Sequence, residues 1–228
     1  MLIARRTAAA LAEAERLLTD ALVEDPNDLD ANFNRAVALE LRGQMPEAAA
    51  QYQRVTTMWH EASMSPPRRA DVYHGLARSL AATGRQTEAI AAFRSALRDA
   101  PNDAALSTNF GLALARAGAW NDALPQLERA SQLAPSAATF SNLGAFLLER
   151  RDFSAAAAAL QQALTYDPRM PEARYNFAVA SLKTGEWLLS QGNVVAARER
   201  FTAGLAFADG DALLRQRLSD ALRAAGGR

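Results

Sequence analysis

The chain of 228 residues contains no cysteine. That excludes a disulfide framework, a thiolate nucleophile and any zinc or iron–sulfur site built on sulfur. Histidine is scarce: His60 and His74 fall on different elements, each without a carboxylate or second histidine at metal-ligand spacing. Lysine is nearly missing, because 24 of the 25 basic residues are arginine and Lys183 stands alone. Net charge is zero, with 25 acidic residues against those 25, which leaves no cationic surplus to displace the counterions of a nucleic acid. No stretch approaches the ~18 apolar residues of a membrane span. The apolar start that opens at Met1 is broken by Glu13, short of the core of a signal peptide, so it reads as a helical start. A cytoplasmic protein is the expectation, with a periplasmic protein or a fragment of an exported one as the alternative.

Chemistry-bearing motifs are lacking too. There is no G-x-x-x-x-G-K-[ST] loop, no G-x-S-x-G elbow, no H-E-x-x-H and no calcium loop. The 12 glycines stand mostly singly, whereas phosphate cradles cluster them. Asp209-Gly210-Asp211 reads as a turn and helix cap rather than a cation site. The sequence therefore assigns no catalytic, cofactor-binding or metal-binding residue, and the expectation is a non-enzyme.

Alanine is what the chain has in excess: 53 residues, against 16 aromatics. Alanine has the highest helix propensity and lets helix backbones approach closely, so the composition predicts an all-α chain of tightly packed helices. Alanine and arginine together also suggest GC-rich bacterial coding.

These residues recur with a period. Gly43, Gly84, Gly118 and Gly192 each stand five residues before an alanine (Ala48, Ala89, Ala123, Ala197). Four residues further on comes a large apolar side chain: Tyr52, Phe93, Leu127, Phe201. Pro101, Pro135 and Pro168 close units 34 and then 33 residues apart, and Pro26 falls in the same phase. Residues 70–103 show the unit best. Tyr73, Leu76, Ala77 and Leu80 form the stripe of one helix. Gly84 ends it, Ala89, Phe93 and Ala96 stripe a second, and Pro101 with Asn102-Asp103 stops that one and caps the next. Such a hairpin cannot bury its apolar face alone and must stack on copies of itself.

In these positions the chain resembles the tetratricopeptide repeat (TPR) family. The resemblance implies an α-solenoid with a right-handed superhelical path. Repeats start at Leu29, Ala70, Ala104, Ala137 and Pro171, so the divisions are 29–69, 70–103, 104–136, 137–170 and 171–210. A partial unit or N-terminal helix precedes them at 1–28, and a capping helix follows at 211–228, started by Asp211 and carrying Leu213, Leu214, Leu218 and Leu222. Three departures stand out. About seven extra residues lie before Arg69, with Ser65-Pro66-Pro67 restarting the next helix. Arg151 replaces the turn glycine of the fourth repeat. In the fifth, Gly185 and Gly192 both fit the turn position, seven residues or two helical turns apart, which predicts one lengthened helix near 172–191 that turns at Gly192. Pro125 is tolerable if Asn121 caps its helix. Trp120 reads as core, and Trp59 and Trp187, in the two irregular regions, as packing for the added turns or else as marks of a non-standard partner or dimer surface.

In TPR arrays the first helices of successive units line a groove. The resemblance places Asn34, Asn109, Asn142 and Asn176 at the sixth position of four repeats, with Gly75 interrupting them. A side-chain amide carries both a donor and an acceptor, matching the backbone of an extended peptide. The arrangement is similar to the asparagine ladder of O-linked N-acetylglucosamine transferase, although no transferase domain is present. The competing reading is that these amides bond within or between repeats. Phe33 and Tyr175 are the expected apolar anchors, and Arg78, Arg116 and Lys183 the expected cations, opposed by Asp30, Glu40, Glu149 and Glu172. The pattern that binds chaperone tails is missing, since Phe33 and Val37 occupy its places. Four hydrogen bonds at roughly 0.5–1.5 kcal/mol each contribute only ~2–6 kcal/mol, so specific affinity needs pockets as well.

The expected function is a protein–protein interaction scaffold whose partner is a protein or peptide segment. The alternatives are a docking or regulatory region of a larger enzyme or cell-envelope machine, and a self-associating array that forms homo-oligomers.

Overall fold

The structure, a computed structural model, describes residues 8–58 and 65–226. Trp59, His60 and the first seven residues, on which some of the expectations above fall, lie outside the described residues.

Among the described residues there are twelve helices and no strand: α1 (Ala8–Glu24), α2 (Leu29–Leu41), α3 (Met45–Met58), α4 (Pro66–Ala82), α5 (Gln86–Asp99), α6 (Ala104–Arg116), α7 (Trp120–Leu133), α8 (Ala137–Glu149), α9 (Phe153–Tyr166), α10 (Pro171–Ser190), α11 (Val194–Leu205) and α12 (Ala212–Gly226). The fold is an all-α helical repeat. Its helices gather into two compact units that meet in sequence between Ala119 and Trp120. In the first unit α2/α3 and α4/α5 are antiparallel hairpins, α1 lies on α2, and the first helices α2, α4 and α6 touch in series. In the second, α8/α9 and α10/α11 are the hairpins, α7 lies on α8, and α8, α10 and α12 touch in series.

Local chemistry sets the boundaries. Asp28, Asp103, Asp152 and Asn193 each accept a backbone N–H three residues on, as N-caps should. Ser136 and Thr139 form a reciprocal capping box. Asp211 Oδ1 takes the Leu214 N–H at 2.9 Å and so starts α12. Ser65 with Pro66 starts α4. Gly43, Gly84, Gly118 and Gly192 sit at φ +76° to +79° and Arg151 at +65°, so one left-handed turn recurs in five connections between helices, once without glycine.

Packing repeats a single relationship. A small residue in the first helix is buried, and sixteen residues later a large one is buried in the second: Ala36 and Tyr52, Ala77 and Phe93, Gly144 and Leu160, Gly185 and Phe201. A Cβ on Gly144 would stand 2.4 Å from Leu160 Cγ, and one on Gly185 2.4 Å from Phe201 Cε1. Gly185 is thus a helix-crossing residue and not a turn. The 20 residues of α10 begin in phase with the preceding proline and end in phase with α11. At Gly204 the crossing is double, because a Cβ there would meet Leu218 of α12 at 2.9 Å and Ser181 of α10 at 3.0 Å.

Several smaller expectations are corrected. Helix α7 begins at Trp120, so Asn121 lies inside it; Pro125 still forfeits only the bond to the Asn121 carbonyl. Trp120 rests on Phe146 with ring centroids 5.5 Å apart, yet at the first position of α7 it remains 37% exposed. Trp187, in the last turn of α10, is 58% exposed and packs little, because the crossing with α11 uses Gly185 on the opposite side. Leu213 is exposed while Leu214 and Leu218 are buried, since α12 turns only one stripe towards α10 and α11.

Candidate peptide-binding faces

Each unit presents one face built from its three first helices, and the two faces differ in how far their polar groups are already used.

On the α2–α4–α6 face three of the five expected contact residues, Phe33, Arg78 and Asn109, are engaged within the protein. The Tyr52 ring reaches from α3 across to α4, where a Cβ on Gly75 would lie 2.2 Å from its Cζ. Its hydroxyl donates to Glu40 Oε2 at 3.0 Å, and Glu40 Oε1 pairs with the Arg78 guanidinium at 2.5 Å. Burial first, and then the Glu40 charge, push the Tyr52 phenol well above its ordinary range. Arg78 is therefore paired within the chain, although its own side chain stays half exposed. Phe33 is half-buried 6.1 Å from Tyr52, with the Arg68 guanidinium 5.3 Å above its ring and Arg68 itself paired to Asp30. Asn109 lies 2.8 Å from His74 Nε2 on the neighbouring repeat. Burial, reinforced by the Arg78 charge and opposed by Asp103, pushes the His74 imidazole down to about 4. Asn109 Nδ2 can only donate, so Nε2 accepts, which a neutral His74 with its hydrogen on Nδ1 allows. Here the competing reading of the ladder applies. Asn34 and Arg116 are the expected residues on this face without a side-chain bond among the described residues.

The α8–α10–α12 face is different. Asn142 and Asn176 are half-buried, and their amides make no hydrogen bond among the described residues. Tyr175 is 49% exposed. Lys183 is paired with Glu186 on its own helix at 2.8 Å, and Glu186 also faces Arg217 of α12 at 3.7 Å.

Beside Tyr175 lies a feature that sequence reasoning missed. A cavity of about 340 Å³ opens between the start of α10 and the connection from α11 to α12. Pro171, Tyr175, Phe207 and Leu214 wall it, with Arg169, Arg174 and Asp211 at its polar edge. Phe207 is fixed edge-on to Phe177 at 5.1 Å and covered by the Arg174 guanidinium at 5.1 Å. The only signal in the sequence was an aromatic in a connection, Phe207, three residues before Gly210. In the first unit a polar cleft of about 280 Å³ between α1 and α2 is crossed by the Arg42–Glu15 pair at 2.5 Å.

Among the described residues no group of three His, Asp or Glu side chains is placed to hold a metal ion, and no helix is long and apolar enough to cross a membrane.

Two family models described as tetratricopeptide repeat match residues 28–102 and 147–187, about half of the chain together. The chain belongs to the tetratricopeptide repeat family, whose members are generally non-catalytic scaffolds for protein–protein interaction. No curated protein matches it. Among solved structures it is similar to YrrB, described as a TPR protein with an unusual peptide-binding site, with a TM-score of 0.66 at 22% identity over 89% of this chain and 97% of that one. MamA from Desulfovibrio magneticus RS-1 gives 0.61 at 19% identity, over 81% and 97%. PilF from Pseudomonas aeruginosa gives 0.59 at 22% identity, over 87% and 88%. At such identities the likeness establishes the fold.

Proposed function

We propose that this protein is a non-enzymatic scaffold that binds an extended segment of a partner protein along the α8–α10–α12 face. Asn142 and Asn176 pair with the segment's backbone, and Tyr175 anchors one of its apolar side chains. The observation that carries this is the contrast in hydrogen bonding: this face holds two half-buried amides, Asn142 and Asn176, with no partner among the described residues, whereas on the α2–α4–α6 face Asn109 is bonded to His74 and Asn34 alone is unbonded. A half-buried amide loses part of its hydration without compensation, so it gains most from an incoming backbone. YrrB, a protein of the same fold, is described as having a peptide-binding site, which agrees with this use of the fold.

Selection of random dodecapeptides on the immobilised full chain tests the reading. Enriched peptides should bind wild type and lose most of their affinity for the Asn142→Ala/Asn176→Ala variant, with Asn34→Ala as the control that retains it. Peptides that bind both proteins equally, or no enrichment at all, would remove the basis for this face.

A further inference from the structure

The geometry points to a recognition pocket, between the start of α10 and the α11–α12 connection, for an apolar side chain that stands next to a carboxylate. This deepens the peptide-binding reading and rests on it.

The pocket's size and walls come first. About 340 Å³ is at the lower end of ligand cavities, enough for one bulky side chain rather than an extended cofactor. Pro171 and Tyr175 form one wall and Phe207 and Leu214 the other. Proline is fixed in φ. The Phe207 ring is held between Phe177 and Arg174, so it is not free to swing in and fill the space. The apolar walls are therefore preformed, which lowers the ordering cost of filling them. Tyr175, at the mouth, is both a wall and the exposed anchor of the adjoining face.

Charge at the edge then selects the neighbour of that side chain. Arg174 is committed, donating to Asp209 Oδ2 at 2.8 Å and to the Pro168 carbonyl at 3.2 Å. Asp211 is committed to the first turn of α12 through the Leu214 N–H at 2.9 Å. Arg215 approaches Asp209 at 3.9 Å. Arg169 is exposed, and its guanidinium makes no ion pair among the described residues; the nearby Asp167 accepts the Arg169 backbone N–H instead. Of the charged side chains that line the pocket, two are basic, Arg169 and Arg174, and one is acidic, Asp211; Arg174 is paired with Asp209, which leaves the Arg169 guanidinium as the lining cation in no ion pair among the described residues. A guanidinium with five donors matches a carboxylate, either as two parallel bonds or as one. An acidic side chain next to the buried residue and a free C-terminus on that residue offer the same chemistry.

The experiment uses the full chain and synthetic fluorescein-labelled octapeptides of Gly and Ser. One carries an internal Asp-Phe pair, one an internal Asn-Phe pair, and one ends in Phe, made both as the free acid and as the amide. Anisotropy is expected to show at least tenfold tighter binding for one carboxylate-bearing peptide than for its neutral counterpart, and the member that binds says which source of carboxylate is read. Arg169→Gln should abolish that preference while leaving the weak binding of the neutral peptide. Tyr175→Ala should weaken all four. In the dodecapeptide selection, Arg169→Glu should shift enrichment from acidic to basic neighbours. Equal binding of acidic and neutral peptides, or insensitivity to both Arg169→Gln and Tyr175→Ala, overturns the pocket. If selected dodecapeptides meanwhile still depend on Asn142 and Asn176, the face stands and only the pocket has failed. If they depend on neither pair, both have.

Discussion

The Tyr52 ring occupies the space in which a side chain at Gly75 would begin: Cζ lies 2.2 Å from the position of a Cβ there. The interruption of the asparagine series and the choice of tyrosine over phenylalanine at residue 52 are thus one fact. The ring needs the missing side chain, and its buried hydroxyl needs Glu40, which in turn holds Arg78.

Gly75→Ala therefore forces the ring aside and breaks the Tyr52–Glu40 bond. A loss of about 1–3 kcal/mol is expected, in the range of overpacked cores. Tyr52→Leu in the same chain should recover part of it. Denaturant unfolding of the four proteins of this double-mutant cycle measures the coupling, and additive losses would deny the relationship.

His74 supplies a pH dependence with a definite sign. Its folded-state pKa, about 4, lies below the ordinary 6.5, so between these values the unfolded chain binds the extra proton. Stability from this group is complete above pH 6.5, falls as pH drops towards 4, and changes no further below. His74→Gln removes the titration while keeping a polar group for Asn109. The loss in urea midpoint on going from pH 7 to pH 5 should be smaller in this variant than in wild type, and an equal loss in both would contradict the assignment.

The four asparagines should not behave alike. Asn109→Ala leaves His74 Nε2 without its donor and is expected to cost about 1–2 kcal/mol. Asn142→Ala and Asn176→Ala break no bond among the described residues and should each stay within about 0.5 kcal/mol of wild type. Thermal or chemical melts of the three single variants decide this, and a destabilised Asn142→Ala or Asn176→Ala would reveal an internal role.

Arg151 pays in backbone strain for a left-handed conformation at φ +65° that glycine adopts freely in the other four turns. Arg151→Gly is expected to raise stability by roughly 0.5–1 kcal/mol, less the entropy that glycine adds to the unfolded chain. The urea midpoint should rise with an unchanged slope; a lower midpoint would show that the arginine side chain contributes more than its backbone costs.

Much of the fold is legible in the chain because it rests on short-range rules. A small residue, a left-handed turn seven residues later and a large residue nine after that can be read in order, and caps such as Asp28, Asp103 and Asp211 are local. The double fit of Gly185 and Gly192 was legible as a lengthened helix for the same reason. The site was far less so. Position within a unit puts Arg78, Phe33 and Asn109 on a face, yet says nothing about Glu40, Arg68 and His74 reaching them from neighbouring helices. Trp187 and Leu213 were misjudged because hydrophobicity alone does not say which stripe of a helix meets a neighbour.

By itself, then, the sequence determined the class of fold and the hairpin boundaries, since each depends on residues within one period of the repeat. Only the tertiary structure decided which polar groups are already satisfied, and where Phe207 and Leu214 meet Tyr175 to enclose a pocket. Those outcomes depend on distances between helices that are far apart in the chain, and a side chain's partners there follow from packing rather than from its place in the motif.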